Sequence, residues 1–161
     1  MVGRPNISPA DRQILLQLQS NARQTNKALA EAAGLAQSTT LDRVRELERR
    51  GVVTGYHADV SLAALGRDLQ AMVTLRLHPK TADGIDRLVA SLEALPEVLG
   101  VYLLSGADDV LVHLGVADAD HLRSVVLAKI AGLEGVADER TSIVFEHRRR
   151  TVVDVLPDDG A

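Results

Sequence analysis

The 161-residue chain has no cysteine and no tryptophan, and its aromatic side chains are limited to Tyr56, Tyr102 and Phe145. Without cysteine there can be no disulfide, no thiolate metal site and no cysteine nucleophile, a pattern that fits a reducing compartment. Without aromatic platforms, base stacking on a sheet, as in single-strand binders, is not expected. The cores must instead be built from Leu, Val, Ile and Ala. No apolar run approaches the ~20 residues of a membrane span. The opening Met-Val-Gly-Arg-Pro-Asn has no signal-peptide core. A soluble, cytoplasmic protein is expected. No phosphate-binding loop, dinucleotide glycine fingerprint or nucleophile elbow occurs. The histidines (His57, His78, His113, His121 and His147) show no metal-ligand spacing. No enzymatic activity, cofactor or metal is expected.

The charge is unevenly distributed. The whole chain carries −4, but residues 1–60 hold eight Lys and Arg against six Asp and Glu, a net +2. The remainder holds ten against sixteen, a net −6. This suggests a basic, DNA-facing module followed by an acidic partner domain. A net +2 is weak for one copy, so pairing of copies is expected to supply affinity.

Periodicity divides the chain further. Ser8-Pro9-Ala10-Asp11 is a helix start, followed by Ile14, Leu15 and Leu18 at helical spacing. A second helix runs from Thr25/Asn26 to about Ala33, with Gly34 as the turn. A third spans Gln37 to Arg50, with Thr40, Leu41, Val44 and Leu47 repeating and Gly51 as its C-terminal cap. Two helices joined by a glycine turn form a helix-turn-helix, which is either a packing unit or a DNA reader. The β-rich text of Val52–Val60 gives a winged layout, and the arginines of the third helix favour the DNA reader.

The second half reads as strand Leu69–Leu77, helix Thr81–Leu95 and strand Val98–Leu104. A turn at Ser105–Asp109 leads to strand Val110–Val116, helix Asp118–Ile130 and strand Gly135–His147. Thr151–Leu156 could add an edge strand. The fold class is α+β: an N-terminal winged helix-turn-helix and a C-terminal ferredoxin-like βαββαβ domain. The expected boundaries are 1–54 for the DNA-binding domain, 55–66 for a β-strand linker and 67–161 for the second domain.

Asp11-Arg-Gln-Ile-Leu, Leu29-Ala-Glu-Ala-Ala-Gly-Leu, Arg43-Val-Arg-Glu-Leu-Glu-Arg-Arg-Gly-Val-Val, Gly55-Tyr-His-Ala, Leu95-Pro-Glu-Val and Ser105-Gly-Ala-Asp-Asp occur in this order. Together they resemble the leucine-responsive regulatory protein/AsnC (feast/famine) family of transcription regulators, from about Ser8 to Val153. The resemblance implies a nucleoid-associated regulator of double-stranded DNA. Its C-terminal ACT-like (RAM) domain would sense an amino acid and dimerise, with tetramers or octamers of the dimer. An architectural DNA-coating protein without an effector is the alternative. A ferredoxin-like small-molecule-binding or enzymatic domain with a vestigial N-terminal unit is a third.

Gln37, Ser38 and Thr39, at the start of the third helix, are expected to face base edges. Arg43 matches a family arginine, which implies a phosphate or guanine contact. Arg45, Arg49 and Arg50 either touch phosphates or are solvated. Ala36 replaces the family's capping Ser, a loss of about 1 kcal/mol that Ser38 could offset by capping a shorter helix. Asp42 replaces a basic residue and could accept from cytosine. The bare pattern Gly106-Ala107-Asp108-Asp109 is only a tight turn. The resemblance implies an effector pocket there between subunits: Asp109 for an α-ammonium, backbone N–H groups for the carboxylate, and Thr141 and Ser142 as further partners. Asp108 and Val110 replace aromatic residues of the family, and the doubled carboxylate is expected to favour a cationic ligand or abolish binding.

Overall fold

Ser8 and Asp11 begin the first helix as a reciprocal pair. In the computed structural model, which describes residues 6–156, helix α1 spans Pro9–Ser20. The Asp11 N–H donates to Ser8 Oγ at 3.2 Å, and the Ser8 N–H donates to Asp11 Oδ2 at 3.2 Å, closing a capping box. Helix α2 (Asn26–Ala33) is capped by Thr25 and ends at Gly34, whose φ of +67° is the left-handed conformation glycine adopts without steric cost. Helix α3 begins at Gln37 and runs to Arg49, with Ala36 at the N-cap making no side-chain bond, so Ser38 does not cap a shorter helix. Gly51, with φ +68°, closes α3 by letting the Val52 N–H reach the Leu47 carbonyl at 2.9 Å. Ile14, Leu29, Ala30, Thr40 and Leu47 are buried among these helices. Leu41, expected on the inner stripe, is exposed.

Two segments differ from expectation. Val52–Val60 forms no strand. β-rich text makes a strand only where a neighbour satisfies its N–H and C=O groups, and the described residues of this unit include no strand. Thr151–Leu156 is not an edge strand either. Val153 exchanges two hydrogen bonds with the Gln19 side chain, at 2.9 and 3.0 Å, and Asp154 pairs with Arg12 of α1. Residues from Arg148 onward therefore group with those up to Asp59, and Val60–His147 forms the other compact unit. Within the expected span of 67–161, Val153 and Asp154 are thus held by Gln19 and Arg12 of α1.

The unit Val60–His147 opens with a 3-10 turn, Ala63–Leu65, followed by β1 (Leu69–Leu77), α4 (Ala82–Glu93), β2 (Val98–Leu103) and β3 (Val110–Val116). Helix α5 (Ala119–Val125) runs into a π-helical turn, Val126–Ile130, before β4 (Val136–Val144). The sheet is antiparallel in the order β2-β3-β1-β4. Ala71, Val73, Leu75 and Leu77 alternate with Gln70, Met72, Thr74 and Arg76, so β1 has one buried face. That face joins Val110, Val112 and Leu114 of β3 beneath Leu88, Leu92, Leu122, Val125 and Ile130 of the helices. Met72 and Leu111 lie on the opposite face, which no described helix of this unit covers. Buried Glu97, just before β2, accepts from Lys129 of the π turn at 2.6 Å and lies 3.4 Å from His121.

Leu92 is fully buried between α4 and the sheet. Leu92→Ala should cost about 2–5 kcal/mol, read by urea unfolding of this unit. A loss below about 1 kcal/mol would mean that the helix layer can collapse into the space.

Candidate DNA-reading helix and effector site

Helix α3 has two unlike faces. Thr40, Arg43, Val44 and Leu47 point inward or are half-buried, while Ser38, Asp42, Arg45 and Arg49 follow at i, i+4, i+7 and i+11 and are exposed. Gln37 and Thr39 are also exposed, so all three residues of the first turn are free of the core. Asn26 Nδ2 donates to the Gln37 carbonyl at 2.7 Å and ties the start of α2 to the start of α3. This bond sets the angle at which the first turn of α3 is presented.

Arg43 is not on the outward face. Its Nη1 donates to Asp11 Oδ1 at 2.9 Å and to Ser8 Oγ at 3.3 Å, locking α3 onto the capping box of α1. Arg43 thus supplies the charged partner that a buried carboxylate needs, while its own side chain stays 38% exposed. Burial pushes the Asp11 carboxyl up, but donors from Ser8 and Arg43 outweigh it and hold the group below its ordinary value. The remaining arginines are only partly free. Arg49 is held by Glu46 through bonds of 2.8 and 2.6 Å, and Arg50 donates to the Asn6 carbonyl at 2.9 Å. Arg45 lies 4.0 Å from Asp42, which leaves it the most available cation of the outward stripe.

In the second unit, Gly106 takes φ +147° in an exposed turn that ends at buried Asp109. Asp109 Oδ2 accepts from the Leu77 N–H at 2.8 Å, and Oδ1 accepts from Lys80 Nζ. The Lys80 ammonium, then the Leu77 N–H, hold this carboxyl below its ordinary range. Asp108 pairs with Arg140. The expected acidic excess at the turn is thus corrected: each carboxylate already has a cation from its own unit. Thr141 and Ser142 are not beside Asp109. They pair with Val73 and Met72, on the far side of β1 from β3, three to four ladder rows further along. At ~4.8 Å between strands and ~3.3 Å per residue, about 10 Å or more separates them from the turn in both directions.

Ser8, Asp11 and Asn26 on the helices, and Lys80 and Arg140 around the turn, are partners that sequence spacing did not single out. Only Ser8 and Asp11 left a signal, as the cap and third residue of a helix start, and their partner Arg43 lies too far along the chain to be read from spacing. Residues 7–54 match the family model for winged helix-turn-helix DNA-binding domains, and residues 70–153 match the model for the Lrp/AsnC ligand binding domain. The chain belongs to the Lrp/AsnC family. It is 39% identical to the HTH-type transcriptional regulator AldR of Mycolicibacterium smegmatis, over 89% of this chain and 84% of that protein. It is 32% identical to the leucine-responsive regulatory protein of Escherichia coli K12, over 88% and 86%. A Neisseria meningitidis transcriptional regulator solved as its L-Met complex superposes with a TM-score of 0.85 at 30% identity, covering 96% of this chain and 98% of that one. Escherichia coli AsnC gives 0.80 at 30% identity, covering 91% and 99%. The chain is thus a transcriptional regulator of the Lrp/AsnC type, with DNA-binding and ligand-binding regions in one polypeptide.

Because the folded state lowers the pKa of Asp11, its contribution to stability is present above the unfolded value near 4 and is lost as pH falls through the folded one. Asp11→Asn should therefore destabilise the helical unit by about 1–3 kcal/mol at pH 7. In urea titrations the gap to wild type should close as the pH drops below about 4. A gap that stays constant with pH would show that the charge of Asp11, met by Ser8 and Arg43, contributes nothing.

Proposed function

We propose that this Lrp/AsnC regulator reads double-stranded DNA with Gln37, Ser38 and Thr39, flanked by Asp42, Arg45 and Arg49. It does so as a homodimer or larger assembly whose DNA affinity or quaternary arrangement responds to a free amino acid. It acts at the nucleoid in the cytoplasm. The observation carrying this reading is the outward stripe of α3, which joins an exposed polar first turn to the most available arginine of the helix. Recognition helices present their N-terminal residues to base edges, and arginines further along reach phosphates.

Assembly is supported by the open face of the sheet. Met72 and Leu111 sit there, only half-buried within one chain, beside exposed Tyr102. These three form an apolar cluster on a face otherwise lined by Gln70, Thr74, Arg76 and His113, and such a cluster marks a partner surface. The effector reading draws on the Neisseria relative solved with L-methionine. Gly106, Ala107, Asp108 and Asp109 of one copy would face Thr141 and Ser142 of another, since a single copy holds the two groups apart. Ligand would then bias between arrangements that space the recognition helices differently.

Genome-wide binding-site mapping tests the DNA reading, with Ser38→Glu as the control. A carboxylate in the first turn should weaken binding to a mapped site by about tenfold or more, the scale of one lost base contact. Wild-type affinity in a folded Ser38→Glu protein would assign the reading face elsewhere. Sites without a shared sequence would favour the architectural alternative. For assembly, Leu111→Asp should lower the molar mass measured by light scattering toward the 17.3 kDa of one chain. An unchanged mass would exclude the open face as the interface.

A further inference from the structure

Lys80 stands where the ammonium group of a ligand is expected. Its Nζ donates to Asp109 Oδ1, while the Leu77 N–H holds Oδ2 at 2.8 Å. The backbone of Asp109 is fixed as well: its N–H donates to the Leu75 carbonyl at 2.9 Å, and its carbonyl accepts from the Leu104 N–H at 2.8 Å. The two partners differ in freedom. The Asp109 side chain is 8% exposed and that of Lys80 is 53% exposed. One partner is a carboxylate built into the end of the sheet. The other is an ammonium on a flexible four-carbon stem that reaches it from the solvent side.

An amine cannot join this carboxylate without a change. Oδ2 is committed to the backbone, and a second ammonium at Oδ1 would meet the first at close range as a like charge. We propose that Lys80 is a built-in occupant of the amine-binding position, a tethered ammonium that the α-ammonium of an effector must displace from Asp109. This inference rests on the effector reading given above. It also defines the ligand class. With Arg140 on Asp108 and Lys80 on Asp109, the two carboxylates of the turn are already balanced. Exchanging one ammonium for another keeps Asp109 paired, so a ligand carrying a primary amine meets the requirement of this position. Effector affinity is then a difference between two ammonium contacts. An internal competitor lowers apparent affinity by the fraction of time it leaves the position open.

The test uses the full-length protein and the twenty free amino acids in thermal-shift and titration assays. Wild type is compared with Lys80→Gln, Lys80→Arg and Asp109→Asn. Lys80→Gln should bind an amino acid about tenfold or more tighter than wild type, within the usual range of coupling, or bind one where wild type shows no shift. Lys80→Arg keeps a cation on Asp109 and should stay near the wild type, and Asp109→Asn should lose binding. If wild type binds and Lys80→Gln binds equally or more weakly, the competitor role is overturned while the effector reading stands. If no amino acid binds either protein, both fall together. Lys80→Gln leaves half of a buried carboxylate unpaired, so wild type supplies a second measurement. Acetylation of Lys80 by acetic anhydride, read by mass spectrometry as a ratio to exposed Lys27 in the same sample, should rise when a bound amino acid expels the side chain. An unchanged or lower ratio would overturn the proposal.

Discussion

A carboxylate taken out of water must be met by donors, and this requirement organises both units. Each buried acid among the described residues ties one element to another. Asp11 joins the start of α1 to the middle of α3 through Arg43. Glu97 joins the entry of β2 to the π turn through Lys129. Asp109 joins the start of β3 to the end of β1 through the Leu77 N–H. Cores made almost wholly of aliphatic side chains tolerate many packings of similar energy. A buried charge with one correctly placed partner does not, because any other arrangement leaves it uncompensated. In a chain with no disulfide and few aromatic residues, these three acids pin the register of the elements they connect.

The same requirement separates the arginines of α3 into different tasks. Arg43 is held by a buried acid and belongs to the scaffold. Arg49 and Arg50 are occupied by Glu46 and by the Asn6 carbonyl. The helix therefore presents fewer uncommitted cations than its composition implies. Its outward chemistry is a polar first turn, one acid in Asp42 and the loosely paired Arg45. A single helix with this outward chemistry offers only a small electrostatic contribution to an anionic partner.

Features that depend on near neighbours were legible in the sequence. Ser8 with Asp11, Gly34 and Gly51 mark helix ends through bonds spanning a few residues, and the alternation of Val73, Leu75 and Leu77 reports a strand with one buried face. The inward position of Arg43 was also written there. It lies three residues after Thr40 and four before Leu47, on the stripe those two define, but the family resemblance directs it outward. Features that depend on distant partners were not legible. Val52–Val60 has strand-like residues and no neighbour to pair with. Lys80 meets Asp109, and Arg140 meets Asp108, only because β1 lies between β3 and β4. The capture of Val153 by Gln19 spans 134 residues and leaves no periodic trace.

The Arg49–Glu46 pair makes this helix an ion exchanger. An arginine that already holds a carboxylate must release it before it can hold a phosphate. If Arg49 takes a phosphate, as proposed above, the counterion that DNA gives up is offset in part by the charge freed on Glu46. The net number of ions liberated is then smaller than the number of arginines at the interface. The response of such a complex to salt reports exchange rather than plain neutralisation, so its grip weakens less steeply with ionic strength than a count of cations would give.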